Sequence, residues 1–267
     1  MKSIMRRSGS ARLKSRDEIE RMRCAGSLVA RVLGRMQEMA GPGVTTGEMN
    51  AVAEEMIAKA GAQALFRGVK TRQAKFPFPS ALCTSVNEVV VHGIPSDRKL
   101  REGDVVSVDC GVRLNGYCGD SAVTLPIGKI SPDVQRLLEV TKEVLDLAIR
   151  LIRPKLWWSD VAGQIQSRVE AAGFSVVREF VGHGIGRDMH EEPKIPNYVD
   201  PGNRRQDFML RPGMVLAVEP MVNMGTFTVV YGDATGWPVV TQDGRYAAHF
   251  EHTVAVTDRG ADILTLA

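Results

Sequence analysis

No stretch of this 267-residue chain comes near the roughly 20 consecutive apolar residues that span a bilayer, so no membrane-crossing helix and no membrane partner are expected. The opening segment MKSIMRRSGSARLK is basic, but no apolar core follows it, and no secretory signal is expected there. Residues 1–14 read instead as a flexible basic tail. Its plainest use is as a solvated end, and its sharper one is a weak, transient attraction to RNA or the ribosome surface. A net charge of only +3 does not choose between the two and argues for no specific nucleic-acid partner. Cysteine is also scarce. Cys24, Cys83, Cys110 and Cys118 form neither a disulfide framework nor a C-x-x-C metal site. With no export signal, the expected compartment is the reducing cytoplasm. The remaining composition, 44% apolar and 24% charged, is that of a globular chain with a sizeable core.

The chain repeats itself. LREGDVVSVD (Leu100 to Asp109) and LRPGMVLAVE (Leu210 to Glu219) share one alternating strand pattern, and each ends in a carboxylate. DSAVTL (from Asp120) and EHTVAV (from Glu251) again place an acid at the head of an apolar strand. VVHGIP and VGHGIG put His92 and His183 in matching contexts. Each half opens with two helical patterns. Ser15 with Glu18, and Thr45 with Glu48, are capping-box signatures for the first pair. Ser131-Pro132 and Ser159 open the second pair, the last helix ending near Ala172 before Gly173. Four elements in one order predict two α+β halves, about 15–130 and 131–267, related by a pseudo-twofold axis, with helices covering one face of each sheet. The matching carboxylates would meet near that axis.

Asp109 and Asp120 flank CGVRLNGYCG, whose Asn115-Gly116 is a strong tight-turn signal, so a hairpin would bring them together. Each of the acids Asp109, Asp120, Glu219 and Glu251 has apolar neighbours and is expected to be buried. Buried carboxylates without cations are too costly to persist, and no Lys or Arg stands at the matching strand positions. Divalent metal is the economical answer. Four carboxylates and His183 suit hard or intermediate ions such as Mn, Fe, Co or Zn. Five ligands exceed the needs of one small ion with an open position, whereas two ions about 3.5–4 Å apart form a known hydrolytic design. The stretch FVGHGIGRDMHEEP adds a second imidazole, His190, and three glycines around His183, which are expected to let the backbone run close to metal and substrate.

Together VVVHGIP, VDCGVRLNGYCGDSA, GHGIG…HEEP, VLAVEPMV and FEHTVAV resemble the type I methionine aminopeptidases, from about residue 15 to the C-terminus. The resemblance implies a single catalytic domain over residues 15–267 with the α+β pita-bread fold, a curved antiparallel sheet covered by helices. It also implies removal of the N-terminal methionine from nascent chains, preferably ahead of a small second residue. By the same resemblance, one ion is held by Asp120, His183, Glu219 and Glu251 and the other by Asp109, Asp120 and Glu251. A metal-bridging hydroxide then attacks the first peptide carbonyl. Glu219 accepts the proton, His190 stabilises the carbonyl oxygen, His92 contacts the amide, and the α-amine binds at the Asp109 metal. Cys83 and Trp237 match methionine-pocket positions. Phe78 stands where tyrosine is common, and Met189 where phenylalanine is usual. A monomer is the expected state. The rivals are another pita-bread hydrolase, an X-Pro aminopeptidase or dipeptidase, and a non-enzymatic binding protein of the same fold.

Overall fold

The computed structural model of the protein describes residues 11–200, 202 and 206–267. Both capping boxes form as read. Ser15 opens α1 (Arg16–Met39) and Thr45 opens α2 (Thr46–Lys59), each exchanging hydrogen bonds with the glutamate three residues on. Ser131 caps α3 (Pro132–Leu151). The fourth helix, α4 (Trp158–Ala171), departs from expectation: Trp157 is its N-cap and makes no side-chain cap bond. Ser159 lies inside the first turn. The cap comes from a distant residue, Asp207, whose two oxygens accept from the Ser159 amide at 3.1 Å and hydroxyl at 2.6 Å. None of the described helices is long and apolar enough to cross a membrane.

Each half buries its own apolar cluster. Leu28, Val29, Val32 and Met36 of α1 and Met49 and Ile57 of α2 pack on Leu82, Val106 and Val108. Leu137, Val144 and Leu145 of α3 and Ile165 and Val169 of α4 pack on Leu216, Val218 and Val254. Val123 touches both clusters, so the two halves close on one another there. Every strand pairing is antiparallel. In the first half the strands Val105–Leu114 and Tyr117–Pro126 form a long hairpin, with Leu82–Val86 on the outer side. Asn115 and Gly116, at φ 51° and 81°, make its tight turn. In the second half Val215–Val218 lies between His252–Val256 and Gly182–Gly184, and the latter pairs with Glu191–Ile195.

The repeated L-R-x-G has a geometric reason. Asp104 N–H bonds Arg101 C=O at 3.0 Å and Met214 N–H bonds Arg211 C=O at 3.1 Å, with Gly103 and Gly213 at φ 92° and 87°. These are the third residues of type II turns, where a side chain would be strained. Each turn launches a strand that leads to an acid, Asp109 midway along the first and Glu219 just past the second.

The halves are joined by hydroxyls. Thr253 Oγ1 accepts from Asp120 N–H and donates to Asp120 C=O, and Ser121 Oγ donates to Glu251 C=O. Thr124 Oγ1 accepts from His249 N–H and donates to His249 C=O, both at 2.8 Å. DSAVTL thus runs beside HFEHT across the axis, and the fold is the expected α+β pita-bread arrangement. Residues 11–14, expected to end a flexible tail, instead dock on it. Ala11 packs on the second-half cluster, Lys14 N–H bonds Gly213 C=O at 2.7 Å, and the Lys14 side chain is buried. Residues 1–10 of that expectation lie outside the described residues.

Candidate dinuclear metal centre and apolar pocket

The floor of the site is the long hairpin. Asp109 faces Ala122 and Asp120 faces Gly111, so the two acids are diagonal neighbours on one face, and their small partners leave the carboxylates room. Glu251 arrives from the other half, its N–H bonded to Ala122 C=O at 2.9 Å. Glu219 follows the strand Val215–Val218, and Asn197 Nδ2 fixes its carbonyl at 3.0 Å. His183 sits opposite Ala217 on the neighbouring strand. Its Nδ1 lies 3.0 Å from Gly184 C=O, which makes that nitrogen the donor. Nε2 is left as a lone pair facing Glu219 Oε1 at 3.5 Å and Asp120 Oδ2 at 3.9 Å. Ligand atoms of Asp120, His183 and Glu251 all come within 4.8 Å of one another.

These acids lack what a buried carboxylate needs. Asp109 Oδ1, Asp120 Oδ1 and Glu251 Oε1 are buried without a hydrogen-bond partner. Among the described residues, the basic groups within 4 Å of the cluster are the imidazoles of His183, beside Asp120 and Glu219, and of His249, beside Glu219. Burial, and then mutual repulsion, pushes Asp109, Glu219 and Glu251 well above the ordinary carboxylate range. Burial raises Asp120 to about 7, and lowers His183 and His92 to about 4, with the nearby His190 adding to the drop. A divalent cation inverts this balance by favouring the ionised acids. Orphaned oxygens, an imidazole held in its ligating tautomer and the absence of Lys or Arg at these groups make the five residues a fit for metal.

Above the acids lies a cavity of about 500 Å³. One end is apolar: Phe66, Phe78, Cys83 and Trp237 are buried together, and Val69 and Met189 pack against them. Phe78 and Trp237 meet edge to face at 5.0 Å, and Trp237 Nε1 donates to Phe76 C=O at 2.9 Å. Trp237 reaches the site because residues 229–241 form an added hairpin in the second half, whose Val239 pairs with Val91 of the first. Beyond Val91 comes His92, with backbone in the left-handed region at φ 61°, rare for a residue with a side chain. Its ring stands edge-on to Phe180 at 5.4 Å and to Trp237 at 6.3 Å. His190 is at the exposed mouth, its ring 4.4 Å from that of His183.

All eleven residues singled out from the sequence therefore line one cavity. The glycines of GHGIG serve a different purpose from the one expected. A Cβ at Gly182 would meet Ala217 O at 2.3 Å, and one at Gly184 would meet Glu192 O at 2.3 Å. They let flanking strands close on His183 rather than opening space toward the substrate. Sequence reasoning also missed His249, Phe66 and Phe180, which line the same cavity. Nε2 of the buried His249 is 3.6 Å from Glu219 Oε2. Its position two residues before Glu251 was the available signal. Phe66 lies outside every motif and carried none, whereas Phe180 opens the stretch FVGHGIGRDMHEEP.

A site of this kind on this fold defines a metallopeptidase, and the comparisons agree. Residues 20–258 match the model of metallopeptidase family M24. The methionine aminopeptidase of Clostridium acetobutylicum is 48% identical over 257 residues, covering 95% of this chain and 98% of that protein. The crystal structure of methionine aminopeptidase from Thermotoga maritima superposes with a TM-score of 0.90 at 43% identity, covering 97% of this chain and 100% of that one. The prolidase from Pyrococcus horikoshii shares the fold alone, at 20% identity and a TM-score of 0.73, and this chain covers 63% of it. The chain belongs to metallopeptidase family M24, within its methionine aminopeptidase branch.

Proposed function

We propose that the protein removes the N-terminal methionine from newly made chains in the cytoplasm, preferring a small second residue, and that it acts as a monomer. Residues 15–267 form its single catalytic unit. One observation carries the reading: unpartnered buried carboxylates share one cavity with an apolar end built from Phe66, Phe78, Cys83 and Trp237. Asp120 and Glu251 would be shared between two divalent ions, Asp109 would complete one site, and His183 and Glu219 would complete the other. Mn, Fe, Co and Zn all suit these ligands. Bound there, they supply Lewis acidity to the scissile carbonyl and to the attacking water.

The protein's own groups do the rest. Phe78, Cys83, Met189 and Trp237 hold the methionine side chain, which sets the first peptide bond over the acids. Glu219 accepts the proton as water oxygen bonds to the carbonyl carbon. His190, at the mouth, donates to the carbonyl oxygen as it gains charge. His92 faces the amide nitrogen, and that nitrogen takes up a proton as the C–N bond breaks. The products are free methionine and a chain with a new amine. Burial lowers His92 to about 4, and partial desolvation also lowers His190, which favours neutral rings with one N–H each to donate.

The reading is tested with Met-Ala-Ser, its Nα-acetyl derivative and an Ala-Pro peptide. Methionine released only from the first is the expected result. Cleavage of the acetylated peptide, or faster release of alanine from Ala-Pro, would favour a different peptidase.

A further inference from the structure

The loop Ile185 to His190 joins the strands Gly182–Gly184 and Glu191–Ile195 and carries both Met189 and His190. Little within the loop holds it. Its internal bond runs from Gly186 N–H to Asp188 C=O at 3.1 Å. Backbone bonds tie its start to neighbouring strands, Ile185 N–H to Val215 C=O at 3.1 Å and Cys118 N–H to Gly186 C=O at 2.8 Å, and the rest of the loop is anchored by the carboxylate of Glu191. Oε1 accepts from the amides of Arg187 at 3.0 Å and Asp188 at 3.4 Å, and Oε2 accepts from Lys14 Nζ at 2.7 Å. Lys14 Nζ also donates to Arg12 C=O at 2.9 Å, and the Lys14 amide is tied to the Gly213 turn that launches the strand toward Glu219.

The Lys14 and Glu191 side chains are only 3% and 9% exposed. They are packed so tightly that a Cβ on Gly186 would stand 2.6 Å from Lys14 Cε and 2.4 Å from Glu191 Oε1. A second tie runs from Arg187 Nη2 to Tyr117 OH at 2.7 Å and on to Glu18 Oε1 at 3.0 Å. A buried ion pair recovers its desolvation cost poorly, and its best-attested use is to fix one arrangement among several. Here the arrangement is that of the residue next to Glu191, which is His190.

We propose that Lys14 and Glu191 are positioning residues: the N-terminal segment 11–14 is a strap that fixes the 186–190 loop and so sets His190 over the cavity. This inference rests on the role given to His190 above. It is tested by a double-mutant cycle on Met-Ala-Ser with Lys14→Met, His190→Ala and the pair. Lys14→Met should lower kcat about tenfold or more, since misplacing a group by an ångström suffices for that, with a smaller change in KM. Lys14→Arg should restore most of the loss. In the His190→Ala background, Lys14→Met should add nothing. Equal factors in both backgrounds, or an unchanged kcat for Lys14→Met alone, would overturn the strap. A wild-type kcat for His190→Ala alone would instead overturn the role of His190. If Lys14→Met does not fold, Glu191→Gln, which keeps an acceptor for the two loop amides, carries the same cycle.

Discussion

His183 is committed to its partners by the carbonyl of the next residue, which takes the Nδ1 proton and turns the other nitrogen toward Glu219 and Asp120. His92 and His190 have no such backbone commitment in the site and are free to face a substrate. His92→Ala and His190→Ala should each fold and retain metal but lose kcat, His190→Ala by about 10²–10³, the usual cost of one donor to a developing oxyanion. Steady-state kinetics with elemental analysis checks this, and a near wild-type kcat would make that histidine structural. Met189 belongs to the pocket wall, packed against the Phe78–Trp237 cluster. A flexible thioether there forgoes the aromatic contact worth roughly 0.3–1.5 kcal/mol to a methionine substrate. Met189→Phe should therefore raise the kcat/KM ratio of Met over Leu peptides, within the roughly 10–200-fold that such pockets achieve. An unchanged ratio in a folded, metal-loaded variant would place Met189 outside the discrimination.

At the scale of elements, what the sequence disclosed depended on how local each signal was. Capping boxes and the Asn-Gly turn are decided within four residues, and both were legible. The starts of α1, α2 and α3 followed. The cap of α4 was not, because Asp207 lies 48 positions from Ser159 and only the folded chain brings them together. The Lys14–Glu191 pair was hidden for the same reason, its members being 177 positions apart. The five candidate ligands were readable because the repeat placed four acids and a histidine in matching contexts. Asp207→Ala should destabilise the protein by about 0.5–2 kcal/mol, the usual worth of an N-cap. Ser159→Ala should cost less, since it keeps the amide bond to Asp207. Urea denaturation compares them, and a larger loss for Ser159→Ala would contradict the assignment.

The whole molecule is built around charge that its own groups do not neutralise, and this makes its stability depend on pH in a particular direction. The acids are raised by burial, so the metal-free native state holds protons that the unfolded chain has released. Their contribution is complete at low pH and is lost as pH rises through the raised values, for Asp120 between its ordinary 3.8 and about 7. The buried histidines act oppositely, but only below their ordinary 6.5, where the unfolded chain takes up protons that the native state refuses. From pH 6.5 to about 8 the carboxylates act alone, so the Tm of chelator-treated protein should fall across this range. Saturating divalent metal binds the ionised acids and should raise Tm more at the upper end than at the lower. A chelated Tm that climbs with pH would mean that the carboxylates are not the protonated cluster inferred here.

The central claim is that five residues gathered from two repeated halves hold divalent metal in order to cleave an N-terminal methionine. Methionine release from Met-Ala-Ser, measured in one preparation before stripping, after chelation and after metal is restored, tests it most directly when metal content is verified at each stage. The account predicts negligible release from the stripped protein and recovery as metal approaches two equivalents per chain. Full release from protein shown by elemental analysis to be metal-free would contradict it.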